Sequence, residues 1–184
     1  MDKIIGKKII RYQEIASTND KARQLIKQGE GEGLVVVALA QSKGRGKPGS
    51  AWVSPAGKGL YLSAVVRPYK NPKDLAPITL LGANAAIAAI NKAGGLVGLI
   101  KEPNDVLVNG KKICGVLVER VASGEVIIGI GVNVNNEPAD FPLELQNKAT
   151  SMKIEAGKSF DLDNFSQIVI QQLDKAYLAY LSKI

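Results

Sequence analysis

The chain has no histidine and a single cysteine among 184 residues. Any chemistry it performs must therefore run on lysine, arginine, carboxylates, amides and backbone donors. The commonest general base and the commonest zinc ligand are both missing, which excludes a Ser-His-Asp site and His-ligated zinc. With no imidazole to activate it, Cys114 reads as a small core residue rather than a nucleophile. Polar residues that a plain core would not require gather at a few places. Ser17-Thr18-Asn19 opens a helical segment, where hydroxyls beside free N–H groups can cap the helix and can also hold a polar ligand head. Gln41 to Trp52, QSKGRGKPGSAW, is a basic, Gly-rich loop that follows an apolar run. It matches neither GxxxxGK[ST] nor GxGxxG. Even so, Gly44-Arg45-Gly46-Lys47 lets the backbone approach a ligand while two cations reach across it, and successive N–H groups in such turns form anion-binding nests. The plain alternative is a solvated basic turn.

Two further clusters lie on the next apolar stretch. Lys101-Glu102-Pro103-Asn104-Asp105 sets charges between strand-like runs, although Asn-Asp after proline also makes a turn. Lys111-Lys112-Ile113-Cys114-Gly115 follows, and strict alternation puts Lys112 on the face of Cys114, opposite Ile113. A lysine at the base of an apolar strand is not explained by packing. Finally, GIGVNVN at 129–135 has glycines inside a strand, a sign of close approach by a ligand or another backbone. Alternation places Asn133 and Asn135 on the face of Gly129 and Gly131.

These residues need elements to position them. STNDKARQLIKQG predicts a helix capped at Ser17, Thr18 or Asn19, with Ala22, Leu25 and Ile26 on its apolar face and Gly29 at its end. Residues 34–40 and 59–66 predict strands. A helix is expected from about Pro72 to Ala93, closing at Gly94-Gly95, apolar nearly all round and packed deep. Asn109-Gly110 and Ser123-Gly124 mark two hairpin turns, the first a type I′ signal. Residues 137–160 read as irregular. A closing helix carries Leu162, Phe165, Ile168, Leu173, Tyr177, Tyr180 and Leu181 as its stripe. Antiparallel hairpins joined to separate helices imply an α+β fold, with a mixed, largely antiparallel central sheet and packed helices.

The length suits one domain, 1–184. A net charge of +7 attracts polyanions without choosing among them. Aromatic residues are few and the basic ones scattered, which argues against a specific nucleic-acid stripe. No run approaches the ~20 apolar residues of a membrane span. The N-terminus lacks the apolar core of a secretory signal. A reducing cytoplasm is the expected setting for the lone cysteine.

In order and spacing, STN at 17–19, Gln41 with GRGKPGSAW at 44–52, SPAGKGLYLS at 54–63, KEPND at 101–105, KKICGVLVE at 111–119 and GIGVNVN at 129–135 resemble the biotin protein ligases, the biotin–[acetyl-CoA-carboxylase] ligases. The resemblance implies a catalytic domain of the biotin/lipoate ligase type, related to class II aminoacyl-tRNA synthetases. It further implies a two-step reaction: biotin and MgATP form biotinyl-5′-AMP, and the acyl group passes to a lysine of a biotin carboxyl carrier protein. By that likeness Ser17, Thr18, Asn19, Gln41, Gly44, Arg45, Lys112, Gly115 and Leu117 would bind biotin. Arg45, Gly46, Lys47, Trp52, Lys101, Asn104, Asp105 and Asn133 would bind ATP and the adenylate. Lys112, Arg45 and Lys47 would be the catalytic cations. No protein-built metal site is expected; Mg2+ would arrive with ATP, near Asp105. Family members are often homodimers.

The chain departs from the family pattern in the loop, where GRGKPGSAW replaces GRGRxGRxW, so Lys47 and Ser50 stand at arginine positions. Lysine lacks the bidentate fork of arginine, and a less cationic lid is expected. Glu102 takes the place of the tryptophan of KWPND. Neither an N-terminal helix-turn-helix domain nor a C-terminal SH3-like domain is expected in this chain. The competing readings are a lipoate or octanoate transferase of the same superfamily, a biotin-binding but weakly active ligase, and a non-catalytic basic binding module.

Overall fold

In the computed structural model, residues 2–46, 49–68 and 74–183 are described. Seven strands form one sheet in the order β1-β2-β3-β7-β6-β5-β4. The strands are β1 Lys8–Ile15, β2 Leu34–Gln41, β3 Gly59–Val66, β4 Leu99–Lys101, β5 Asp105–Val108, β6 Lys111–Arg120 and β7 Val126–Asn133. Only β1 against β2 is parallel; every other neighbouring pair is antiparallel. The mixed, largely antiparallel α+β architecture expected from the hairpins is therefore the one observed.

Helices α1 Thr18–Lys27, α2 Ala76–Gly94, α3 Met152–Ala156 and α4 Leu162–Leu181 complete the fold. Ser17 settles the choice of N-cap for α1: its side chain accepts from the Asp20 N–H. Asp161 does the same for α4, accepting from Asn164 N at 2.7 Å. α2 begins at Ala76, and the expected start at Pro72 lies outside the described residues. It ends at Gly95 in the left-handed region, φ 67°, as a C-terminal glycine permits.

One face of the sheet carries α2 and α4. Phe165, Val169, Ile170, Leu173 and Tyr177 of α4 join Ile78, Ala86 and Ile90 of α2 and the inward residues of β3, β6 and β7 in the main core. The helix approaches so closely that a Cβ on Gly82 would stand 2.9 Å from Val116 Cγ1. α2 is not buried all round, as Leu80 is 36% exposed. The expected stripe of α4 all belongs to this core, Leu162, Ile168, Tyr180 and Leu181 as its partly buried margin. The other face carries α1, whose Ala22, Leu25 and Ile26 pack on Leu34, Val36, Val65 and Ile127.

Both hairpin turns form as expected. Asn109 and Gly110 have φ of 49° and 78°, the positive pair that a type I′ turn demands. Gly124, φ 101°, turns β6 into β7. Residues 137–160 are not wholly irregular: two single-turn 3-10 segments, Pro138–Asp140 and Leu143–Leu145, precede the five-residue α3.

Candidate active site

On the α1 face, β6 and β7 present small residues to a cavity. A Cβ on Gly131 would stand 2.6 Å from Trp52 Cε2, one on Gly115 2.9 Å from Trp52 Cζ3, and one on Gly129 2.3 Å from Asn19 Oδ1. The glycines leave room for a neighbouring side chain to lie flat on the sheet, and here Trp52 and Asn19 occupy it. The hollow bounded by these groups has a volume of about 100 Å³ and is walled by Thr18, Gln41, Trp52, Lys112, Gly115 and Leu117. A second hollow of about 460 Å³ adjoins it, walled by Trp52, Lys101, Asp105, Lys112, Asn133 and Lys148. Lys112 and Trp52 belong to both walls.

Lys112 reaches this position because the strand breaks its alternation. Val106 pairs with Cys114 but Leu107 with Lys112, so Ile113 is an extra residue bulged between them. A bulge shifts the phase of every side chain beyond it and re-aims them. The strict alternation expected for Lys112 is therefore corrected. Lys112 shares the cavity face with Gly115, its Cε 3.5 Å from where a Cβ there would be, while Ile113 and Cys114 are both wholly buried. Burial pushes the Cys114 thiol up to about 12, consistent with a core residue and not a nucleophile.

The freed backbone of Lys112 is gripped by a parallel bridge. Lys112 N donates to Lys148 O and Thr150 N donates to Lys112 O, each at 2.8 Å, and Asn133 Nδ2 donates to Thr150 O at 3.0 Å. Lys112 Nζ lies 2.7 Å from Asp105 Oδ1, an ion pair too oblique to count as a hydrogen bond, so that oxygen has no hydrogen-bond donor. The ammonium also sits 5.4 Å from the Trp52 ring centroid, within cation–π range.

At the other end, Gln41 Oε1 accepts from Thr18 N at 2.8 Å and from Thr18 Oγ1 at 3.1 Å, while Gln41 Nε2 donates to Ser54 Oγ at 3.0 Å. Ser54 Oγ in turn donates to Trp52 O at 3.0 Å. Asn19 Oδ1 accepts from Ser63 Oγ at 2.6 Å and its Nδ2 donates to Glu119 Oε2 at 2.7 Å. These amides and hydroxyls tie α1, β2, β3 and β6 together at the floor of the smaller hollow.

Most residues singled out in the sequence meet here, with some redistribution. Ser17, Thr18, Asn19, Gln41, Arg45, Gly46, Asn104, Gly115 and Leu117 wall the smaller hollow. Lys101, Asp105 and Asn133 wall the larger one. Asn104 and Gly46, expected with the nucleotide, thus stand at the smaller one. Asn104 Nδ2 donates to Val116 O at 3.0 Å, and its Oδ1 is buried without a donor. Gly44 is packed beneath the loop, where a Cβ would meet Trp52 O at 2.4 Å. Asn133 keeps the face of Gly129 and Gly131, but Asn135 lies past the end of β7 and donates to Phe160 O at 2.8 Å. Lys47 and Pro48 lie outside the described residues.

Sequence reasoning missed Ser54, Tyr61, Glu119 and Lys148. Ser54 and Glu119 lay inside the motifs SPAGKGLYLS and KKICGVLVE, which offered a signal. Lys148 lay in a segment read as irregular, which offered none. Among the described residues no group of three or more His, Cys, Asp or Glu could hold a metal ion, and no helix is long and apolar enough to cross a membrane.

Residues 11–135 match the model of the biotin/lipoate A/B protein ligase family. The chain is 38% identical to the bifunctional ligase/repressor BirA of Bacillus subtilis over 97% of its own length and 56% of that protein. It is 34% identical to a biotin–[acetyl-CoA-carboxylase] ligase of Paracoccus denitrificans over 83% of its length and 66% of that protein. It thus spans little more than half of the first relative. Among solved structures, a biotin protein ligase from Aquifex aeolicus in complex with biotin and ATP superposes with a TM-score of 0.86 at 30% identity, covering 96% of this chain and 73% of that one. That family model covers more than half of the sequence, and the chain belongs to the biotin/lipoate A/B protein ligase family.

Proposed function

We propose that the chain is a biotin protein ligase, which activates biotin with ATP to biotinyl-5′-AMP and passes the acyl group to a lysine of a biotin carboxyl carrier protein. The observation that carries this reading is the position of Lys112 in the wall common to two adjoining hollows. Ser17, Thr18 and Gln41 surround the smaller one with the donors and acceptors that a cyclic urea needs. The larger one has Lys101, Lys112 and Lys148 against Asp105, an excess of positive charge suited to a triphosphate. A carboxylate held in the first and an α-phosphate held in the second would meet at Lys112.

In the first step a carboxylate oxygen of biotin attacks the α-phosphorus, and the bond to pyrophosphate breaks. The Lys112 ammonium opposes the negative charge that collects there, and the two walls hold the reactants together. No side-chain nucleophile is needed, which suits a chain without histidine. In the second step a carrier lysine amine attacks the acyl carbon and AMP leaves. Magnesium would enter bound to ATP and neutralise phosphate charge; Asp105, the carboxylate in the larger wall, is the residue that would face it. A cytoplasmic setting and a homodimer accompany the same reading.

The test is transfer of labelled biotin to a purified carrier domain in the presence of MgATP. Label on the carrier lysine is the expected result. Transfer of lipoyl or octanoyl groups instead would move the chain to the other branch of the family. Biotin binding without any transfer would leave it a binder.

A further inference from the structure

We infer that Glu119 is a positioning residue, which through Arg45 holds residues 44–46 and 49–52 over the smaller hollow. The inference deepens the ligase reading and rests on it only for the identity of the ligand. Glu119 is absent from the cavity wall, yet both of its carboxylate oxygens are engaged toward it. Arg45 Nη1 donates to Oε1 at 2.9 Å and Nη2 to Oε2 at 2.8 Å, the bidentate fork that fixes orientation as well as distance. Arg45 Nη2 also donates to Asp20 Oδ1 at 2.8 Å. Arg23 Nη2 lies 3.3 Å from Glu119 Oε1, and Asn19 Nδ2 donates to Oε2. Two guanidiniums thus face two carboxylates, and the cluster carries no spare positive charge.

Arg45 is rigidly linked to Trp52. Arg45 bridges Ala51, Gly46 N donates to Ser50 O at 3.0 Å and Trp52 N to Gly44 O at 2.9 Å. Where the guanidinium is held, the indole follows onto Gly115 and Gly131. The resemblance gives Arg45 to both biotin and the phosphates; it walls the smaller hollow and not the larger, where Lys101, Lys112 and Lys148 stand. The geometry makes it the tongue of a latch whose catch is Glu119, with Asp20 as a second, more exposed contact.

Two readouts test the latch. The first needs no ligand: tryptic cleavage after Arg45, whose side chain the protease must take and the latch withholds. The second is biotin affinity, read from the fluorescence of the chain's one tryptophan. Glu119→Gln, which keeps an acceptor for Asn19, should be cut several-fold faster and bind biotin about tenfold more weakly. In biotin transfer its KM for biotin should rise while kcat stays within about twofold, the mark of lost binding and not of lost transition-state contact. Asp20→Asn gives a milder form of the same changes should Glu119→Gln melt early. Unchanged cleavage and affinity in both variants overturn the latch, as does a fall in kcat at constant KM. If wild-type chain neither binds nor transfers biotin, the ligase reading fails while cleavage still judges the latch.

Discussion

Gly131 shows how much of this site is decided by the absence of a side chain. The Trp52 indole lies where a Cβ on Gly131 would be, 2.6 Å from Cε2, and Trp52 Nε1 is buried without an acceptor. Leaving an N–H unpaired costs about 1–3 kcal/mol, so a ligand that brings an acceptor to it gains that much in return. Gly131→Ala should push the indole off the sheet. Forced overpacking costs about 1–3 kcal/mol, and where that cost falls on the bound state it lowers ligand affinity by roughly five- to 150-fold. Tryptophan emission of the ligand-free variant should move to the red, and titration with biotin should show the weaker binding. Emission and affinity identical to wild type would mean that the indole does not depend on this space. Lys112 makes the complementary point. Its importance was visible as a charge inside an apolar strand, but its direction was not, because one inserted residue, Ile113, reverses the phase and nothing in the local pattern announces a bulge.

At the scale of elements, residues 44–46 and 49–52 depend on β6 and α1 through the charge of Glu119. Burial pushes the Glu119 carboxyl up, but the hydrogen bond from Arg45, that from Asn19 and the charges of Arg45 and Arg23 together hold it below the ordinary glutamate value. A lowered folded value contributes stability above the unfolded value, about 4.3, and loses it as pH falls through the folded one. Loop closure should therefore be constant from neutrality down to about pH 5 and weaken as pH falls below the ordinary glutamate value of about 4.3. Trp52 emission against pH, with Glu119→Gln as control, checks this; the variant should lack the acid step, and an identical step in both would assign it elsewhere. Helices α1, α2 and α4 and the hairpins were legible in advance because each has a local cause: the Ser17-Thr18-Asn19 cap, the Gly94-Gly95 stop, the apolar stripe of α4 and the Asn109-Gly110 turn. β1 was not, since no residue of KIIRYQEI is fully buried and it becomes a strand by pairing in parallel with the distant β2. The 148–150 segment was not legible for the same reason: it gains its order from the backbone of Lys112.

For the whole molecule, the division of labour follows from the two faces of the sheet. Helices α2 and α4 fill one face with an apolar core, leaving the other free to trade packing for glycines, amides and charge. Residues from α1, the loop, β5, β6 and β7, far apart along the chain, converge because the sheet order β3-β7-β6-β5 brings them side by side. The central claim is that Lys112, at the meeting of the two hollows, serves the joining of biotin to ATP. Acid-quenched formation of biotinyl-5′-AMP from biotin and MgATP, compared between wild type and Lys112→Ala, tests it most directly. The account predicts adenylate in the wild type, a loss of about 10²–10³-fold or more in the rate for the variant, and an unchanged melting temperature in both. Adenylate formed by Lys112→Ala at the wild-type rate would contradict it.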